Sequence, residues 1–263
     1  MENLISVNLK GGLGNYLFQI ACAYNYSIKY NKHLILDEKT AHVVHNKIET
    51  YKKNIFQHLE FEHLSNESID YIYQEKVFNY IEIPKINKNL LLDGYFQSER
   101  YFEKNKEQIK ILFECAEEIR NDIVVKFPFI LNEKTCSIHV RRGDYLKAPN
   151  CHPAQTLNYY EKAIENFDTD TLFLIFSDDI EWCKKEFSKM DKRLIYIENN
   201  TDFEDLYLMS FCNNNIICNS TFSWWGAWLN NNQNKKIIAP EKWFGPQLEN
   251  NTKDLYCKEW IKI

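Results

Sequence analysis

Short, wholly apolar runs recur along the chain and alternate with stretches whose apolar residues return every three or four positions. The first pattern predicts buried strands and the second amphipathic helices. Their alternation predicts an α/β protein built on parallel sheets. In the first half, LISVNL (4–9) reads as a strand, KGGLGN (10–15) as a turn and YLFQIACAYNYSIKYN (16–31) as a helix. HLILD (33–37) and NLLLDGYF (89–96) read as further strands, and SERYFEKNKEQIKILFE (98–114) as the helix after the second. The intervening residues, rich in Lys, Asn, Glu and Tyr, carry no clear period.

The second half is more regular. Strands are predicted at 136–140, 172–176, 194–197, 215–218 and 236–239, with helices near 155–167, 179–188, 202–212 and 221–231. Five strands joined by helices make one doubly wound unit, and at least three strands of a similar unit precede it. The boundary falls in FPFILNEKT, giving domains 1–132 and 133–263. Two such domains are expected to face each other across a cleft, with the terminal YCKEWIKI packing back on the first.

Composition narrows the function classes. The 263 residues are 44% apolar and 26% charged, ordinary for a soluble globular protein. A net charge of −5 argues against a general nucleic-acid binder. Eight scattered cysteines without a C-x-x-C pair read as reduced thiols rather than a disulfide scaffold. Neither Cys136 with His139 nor Cys151 beside His152 has zinc-site spacing, so no metal is expected. The N-terminus lacks a signal-peptide pattern, and no apolar run approaches the roughly 18–20 residues of a membrane span. A cytoplasmic protein is expected, at most peripheral to a membrane.

Ligands of open α/β sheets bind beyond the carboxyl ends of the strands, and four unusual segments fall there. Gly11, Gly12 and Gly14, three of only seven glycines, sit between a strand and a helix. They suit either a plain turn or the approach of an anion to backbone N–H groups. A nicotinamide fingerprint fails because Leu17 occupies its third small position. HVRRGDY (139–145) places two arginines after a strand, either as a surface pair of Arg142 with Asp144 or as a fork for an anionic ligand. In FSDD (176–179), Asp178 or Asp179 either caps the next helix or accepts hydrogen bonds from a ligand. CNSTFSWWGAWLN (218–230) puts Ser220, Thr221 and Ser223 at a strand-to-helix junction suited to phosphate, with Asn219 or Thr221 as the alternative N-cap. The spacing of Trp224, Trp225 and Trp228 favours core packing over ligand stacking. DTD (168–170) precedes its strand and so lies at the wrong end of the sheet for a metal-holding D-x-D.

Taken in order, GGLGNYLFQ, IHVRRGDY, FSDD and NSTFSWWGAWLN resemble glycosyltransferase family 11, the α-1,2-fucosyltransferases. DGYFQSERYF (93–102) is also similar to a family segment, so the resemblance covers nearly the whole chain. Tyr16 departs from the pattern, standing where many relatives carry Gln. The resemblance implies a GT-B fold and a bacterial form without a membrane anchor. It implies inverting transfer of fucose from GDP-β-L-fucose to the 2-hydroxyl of a β-galactoside, with no required metal or cofactor. Transfer of another GDP-deoxysugar such as colitose, or non-catalytic glycan or nucleotide binding, are the alternatives. The acceptor is expected to be a galactose-terminated glycan, lipid-linked by analogy with surface-polysaccharide synthesis.

The implied site residues follow. Arg141 would hold the diphosphate, with Arg142 as its structural partner. His139 and Asp178 or Asp179 would hold guanine and ribose. Asn219, Ser220, Thr221, Phe222 and Ser223 would surround the diphosphate, opposite Gly12, Leu13 and Gly14. Tyr95, Gln97 and Trp225 are the expected acceptor contacts. Asp144, Asn15 and Glu99 are the candidates for the base.

Overall fold

The computed structural model describes residues 3–37, 48–248 and 250–263, which form two compact units. The first comprises Met1–Cys115 with Asn250–Cys257, and the second Ala116–Glu249 with Lys258–Ile263.

The first unit carries β1 (Leu4–Val7), α1 (Leu13–Tyr30), β2 (His33–Leu34), β3 (Leu36–Asp37), α2 (Ile48–Lys52), β4 (Phe61–Glu62), β5 (Tyr71–Gln74), β6 (Leu90–Asp93) and α3 (Lys106–Leu112). Its main sheet is parallel, in the order β2-β1-β6-β5, and β3 pairs with β4 in a separate ribbon. The expected turn at 10–15 is shorter than the sequence suggests, because α1 already starts at Leu13 with Gly12 as its N-cap. Leu13, Leu17, Ile20 and Ala21 bury one face of α1, and Asn31 ends it in the left-handed conformation (φ 49°). HLILD is two strands rather than one. Ile35 N–H donates to Ile5 of β1, but Leu36 N–H donates to Glu60, so the chain changes partners there. The helix expected at 98–114 is confined to 106–112. Phe102, fully buried, leaves helical geometry at φ −143° to reach the core. Part of the stretch without period, 38–47, lies outside the described residues.

The second unit holds α4 (Glu117–Lys126), β7 (Thr135–Val140), α5 (Leu157–Ile164), β8 (Leu172–Ser177), α6 (Ile180–Phe187), β9 (Arg193–Tyr196), α7 (Asp202–Phe211), β10 (Asn214–Ile216), α8 (Thr221–Leu229), β11 (Ile237–Ala239) and β12 (Ile261–Lys262). All six strands are parallel, in the order β12-β11-β10-β7-β8-β9. The five expected strands are all present, and β12 adds a sixth. The units divide at 115/116 rather than 132/133, because α4 packs on α7: Arg120 lies 4.7 Å over the Phe211 ring, and Lys126 Nζ donates to Asn199 O at 3.1 Å. The end of the chain is shared between the units. Asp254 accepts from Arg100 at 2.8 Å and from Tyr80 N–H at 3.1 Å within the first unit, whereas β12 extends the sheet of the second.

Candidate active site

Strand order fixes where each sheet can bind. In the six-stranded sheet the chain runs outward from β7 through β8 to β9, then returns to the other side at β10. The crevice at the carboxyl ends of β7 and β10 is therefore a topological switch point. The loop after β7 carries HVRRGDY, and the loop after β10 carries CNSTF. The sequence thus delivers two of its unusual segments to one place.

The arginines there do different work. Arg141 Nε donates to Asp144 at 2.8 Å and lies 3.2 Å from Asp178. Its side chain is 27% exposed, and the two terminal guanidinium nitrogens make no hydrogen bond within the described residues. Burial works against its charge, but Asp144 and Asp178 outweigh that and push its pKa up. Arg142 instead donates through Nε to Asp179 at 3.0 Å and stacks 3.9 Å over the Trp182 ring. The alternative of an Arg142–Asp144 surface pair does not form; each arginine takes a different acid.

Asp178 and Asp179 organise this loop. Asp178 accepts from the backbone N–H of Arg142 at 2.9 Å and of Gly143 at 3.0 Å. A Cβ at Gly143 would stand 2.7 Å from the same carboxylate, so a side chain there would have to displace it. Asp179 caps α6 by accepting from Trp182 N–H and also binds Arg142. Both carboxylates are engaged within the unit, so the cap expected from the sequence is present at Asp179 and Asp178 serves as a loop clamp.

The facing loop is built from α8. Ser220 is its N-cap, and no side chain caps the first turn, leaving the leading N–H groups of Thr221, Phe222 and Ser223 directed outward. Asn219 is not part of that open surface through its side chain: its amide donates to Pro153 O and Trp243 O and accepts from Gln155. His139, the penultimate residue of β7, lies with its ring tilted against Phe222 at 5.5 Å and is held neutral, its pKa pushed down to about 3 by burial and by the Arg141 charge. Tyr145 ties the two loops together by donating to Asn219 O at 2.8 Å. Trp225 corrects an expectation. It is fully buried against Trp224 (5.2 Å) and Trp228 (5.1 Å), so it cannot contact an acceptor. A helix apolar on every side is buried on every side.

The four-stranded sheet has its own switch point between β1 and β6. Gly11 takes φ +88°, and a Cβ there would stand 2.3 Å from Asn15 Nδ2. Gly12 has ordinary extended dihedrals and open space where a Cβ would go. No side chain caps α1, so Leu13 and Gly14 lie at a bare helix N-terminus. Asn15 accepts from Gln97 at 2.9 Å, which joins the glycine loop to the segment after β6. Tyr95 is exposed with Lys10 Nζ 5.2 Å above its ring, and Glu99 opens the short turn Glu99–Tyr101. Tyr16 is buried with its hydroxyl unpartnered, and burial pushes its pKa up to about 12.

Several contributors were invisible to sequence reasoning. Gln19, fully buried, grips the Lys10 backbone at both N–H and C=O at 3.1 Å. Glu75 accepts from the N–H groups of Tyr95 (2.7 Å) and Phe96 (3.1 Å), and Phe96 sits at φ +51°. Lys10 pairs with Asp93 at 2.8 Å. Lys10, Gln19 and Asp93 lie inside quoted segments, but nothing in the residue types marks them as partners. Asp168 and Asp170 pair with Lys134 at the amino end of β8. Among the described residues no cluster of three His, Cys, Asp or Glu is arranged to hold a metal ion, and no helix is long and apolar enough to cross a membrane.

Comparison with known proteins gives a consistent picture. The sequence matches glycosyl transferase family 11 over residues 2–263. It is 33% identical to an alpha-1,2-colitosyltransferase of Escherichia coli, covering 99% of each chain. It is 31% identical to the O-antigen biosynthesis glycosyltransferase WbnK of Escherichia coli, covering 97% of this chain and 99% of the relative. Among solved structures, the NodZ alpha-1,6-fucosyltransferase co-crystallised with GDP aligns with a TM-score of 0.58 at 12% identity, covering 86% of this chain and 92% of NodZ. That likeness establishes the GT-B fold expected from the sequence.

Proposed function

The chain belongs to glycosyl transferase family 11, and from that premise we propose that this glycosyltransferase moves L-fucose from GDP-β-L-fucose to the 2-hydroxyl of a β-galactoside, forming an α-1,2 linkage with inversion. The observation that carries the reading is Arg141. Its terminal nitrogens are unengaged at the switch point where the uncapped N-terminus of α8 also opens.

The acceptor oxygen attacks the fucosyl anomeric carbon as the bond from that carbon to the β-phosphate oxygen breaks. The electron pair of the breaking bond stays on the phosphate, so negative charge grows there. Arg141 and the first-turn N–H groups of α8 stabilise that charge more in the transition state than in the ground state. In this scheme Arg141 does the work of a divalent cation, and EDTA is expected to leave turnover unchanged. Asp144 orients Arg141 through its hydrogen bond to Nε. Asn15 is an amide with no basicity of its own, and its bond to Gln97 gives it a holding role. Glu99 is then the carboxylate proposed as the base, a role that requires hydrogen-bond reach of the acceptor proton, directly or through one water. The acceptor is a galactose-terminated glycan of the kind that O-antigen synthesis handles, met at the cytoplasmic face of the membrane.

A second reading, transfer of colitose, is favoured by the 33% identical relative of that name. Incubation with lactose and either GDP-fucose or GDP-colitose, followed by NMR of the product linkage, separates the two. Faster α-1,2 transfer of fucose supports the first reading. Preference for colitose replaces it with the second, and GDP-sugar binding without turnover across several galactosides would sink both.

A further inference from the structure

Beneath the arginine loop lies a buried pair that the transfer scheme does not use. Cys218 Sγ is 3.2 Å from His139 Nδ1, with Cys218 0% and His139 6% exposed. Ser223 Oγ is farther away, at 3.9 Å, and its own hydroxyl donates to Ser220 O at 3.3 Å. The thiol proton therefore has His139 Nδ1 as its near acceptor. Both groups are neutral: burial pushes the thiol up to about 12, and burial with the Arg141 charge pushes the imidazole down to about 3.

A neutral imidazole carries one N–H, and a hydrogen bond accepted at one ring nitrogen sends the proton to the other. His139 Nε2 makes no hydrogen bond within the described residues, yet it is not among the buried side-chain nitrogens that lack a partner. It therefore reaches the surface of the unit. Tyr160, donating to His139 O at 3.2 Å, and the Phe222 ring at 5.5 Å hold the residue in place from either side. The surface it reaches is that of the β7–β10 crevice, because His139 is the penultimate residue of β7 and Phe222 lies in the first turn of α8.

We infer that Cys218 is a positioning residue that fixes His139 as the Nε2–H tautomer, so that the imidazole adds an uncharged donor to the anion site formed by Arg141 and α8. The inference deepens the proposed function, since it rests on reading that site as the seat of the donor's diphosphate. A neutral donor contributes across the whole physiological pH range, which a titrating imidazolium does not.

Imidazole 15N shifts of the ligand-free protein read the tautomer directly, and calorimetric titration with GDP reads its use. Cys218→Ser keeps a proton donor at the same place, whereas Cys218→Val fills the volume without one; Cys218→Ala replaces Val if the larger side chain does not fit. The expected result is the Nε2–H form in the native protein and in Cys218→Ser, with a mixed tautomer in Cys218→Val. GDP affinity is expected to fall about tenfold in Cys218→Val, the scale of one misdirected hydrogen bond, and to hold in Cys218→Ser. An Nδ1–H form in the native protein, or native GDP affinity in Cys218→Val, overturns the inference. Failure of the native protein to bind GDP would instead sink the diphosphate reading, because the ligand-free spectrum decides the Cys218–His139 assignment alone.

Discussion

At the switch point of the four-stranded sheet the cation is Lys10, whose Nζ is bound to Asp93 at 2.8 Å and lies 5.2 Å above Tyr95. At the switch point of the six-stranded sheet the cation is Arg141, which has two acids beside it and still keeps its terminal nitrogens unbonded among the described residues. Counting charges would not separate these crevices, since each cation is balanced by carboxylate. The shape of the cation does. An ammonium is a point charge that one close acid engages fully, whereas a guanidinium can be fixed through Nε and still present a fork to a second anion. Neutralisation inside the chain and readiness for a ligand are compatible only in the second case.

The difference can be broken at four places, in decreasing order of expected effect. Arg141→Ala should lower turnover at least about 100-fold with the fold intact by circular dichroism, the scale of losing one charge-stabilising contact. Near-normal turnover would erase the distinction between the crevices. Asp178→Ala leaves the N–H groups of Arg142 and Gly143 without their acceptor. It should cost about 1–3 kcal/mol in denaturant unfolding and reduce turnover as well. Asp144→Asn retains an oxygen for Arg141 Nε but has no basicity, so an orienting role predicts turnover within about tenfold of native. A much deeper loss, with a changed pH–rate profile, would make Asp144 the base.

The smallest effect belongs to the first crevice. Lys10→Met should cost about 0.5–1 kcal/mol at neutral pH, the worth of a partly exposed pair. The Lys10 hydrogen bond holds Asp93 below the ordinary carboxylate range. A depressed acid stabilises above its unfolded pKa of about 4 and loses that contribution as pH falls through its folded value. The gap between native and Lys10→Met stabilities should therefore close on acidification. Unfolding titrations at neutral and acid pH that show a constant gap would remove Asp93 as its source.

Legibility in the sequence followed burial. Strands β7, β8 and β11 announce themselves because both faces are covered and their residues are almost all buried. β5, with Tyr71 and Ile72 both largely exposed, sits at a sheet edge and lacks that signal. The division at 115/116 was missed because α4 buries only Ile123 among its own residues, too weak an apolar face to show which unit it joins. Of the candidate site, the segments HVRRGDY and CNSTF were legible as motifs, since the switch point gathers whatever follows β7 and β10. The pairings within them were not. Whether an aspartate clamps a loop or meets a ligand depends on N–H groups from elsewhere in the chain, as at Asp178. For Trp225 the clue was present: a helix start as apolar as FSWWGAWL has no polar face to turn outward.

The tryptophan packing behind the α8 helix also makes the two crevices separately observable. All six tryptophans of the chain, at 182, 224, 225, 228, 243 and 260, belong to the second unit. Four of them form one cluster, Trp224 lying 5.2 Å from both Trp225 and Trp260 and 6.2 Å from Trp228. Indole emission thus follows the unit that holds Arg141, and the unit that holds Lys10 is dark at the same excitation. A single unlabelled sample can report the melting of one unit by fluorescence while circular dichroism follows both.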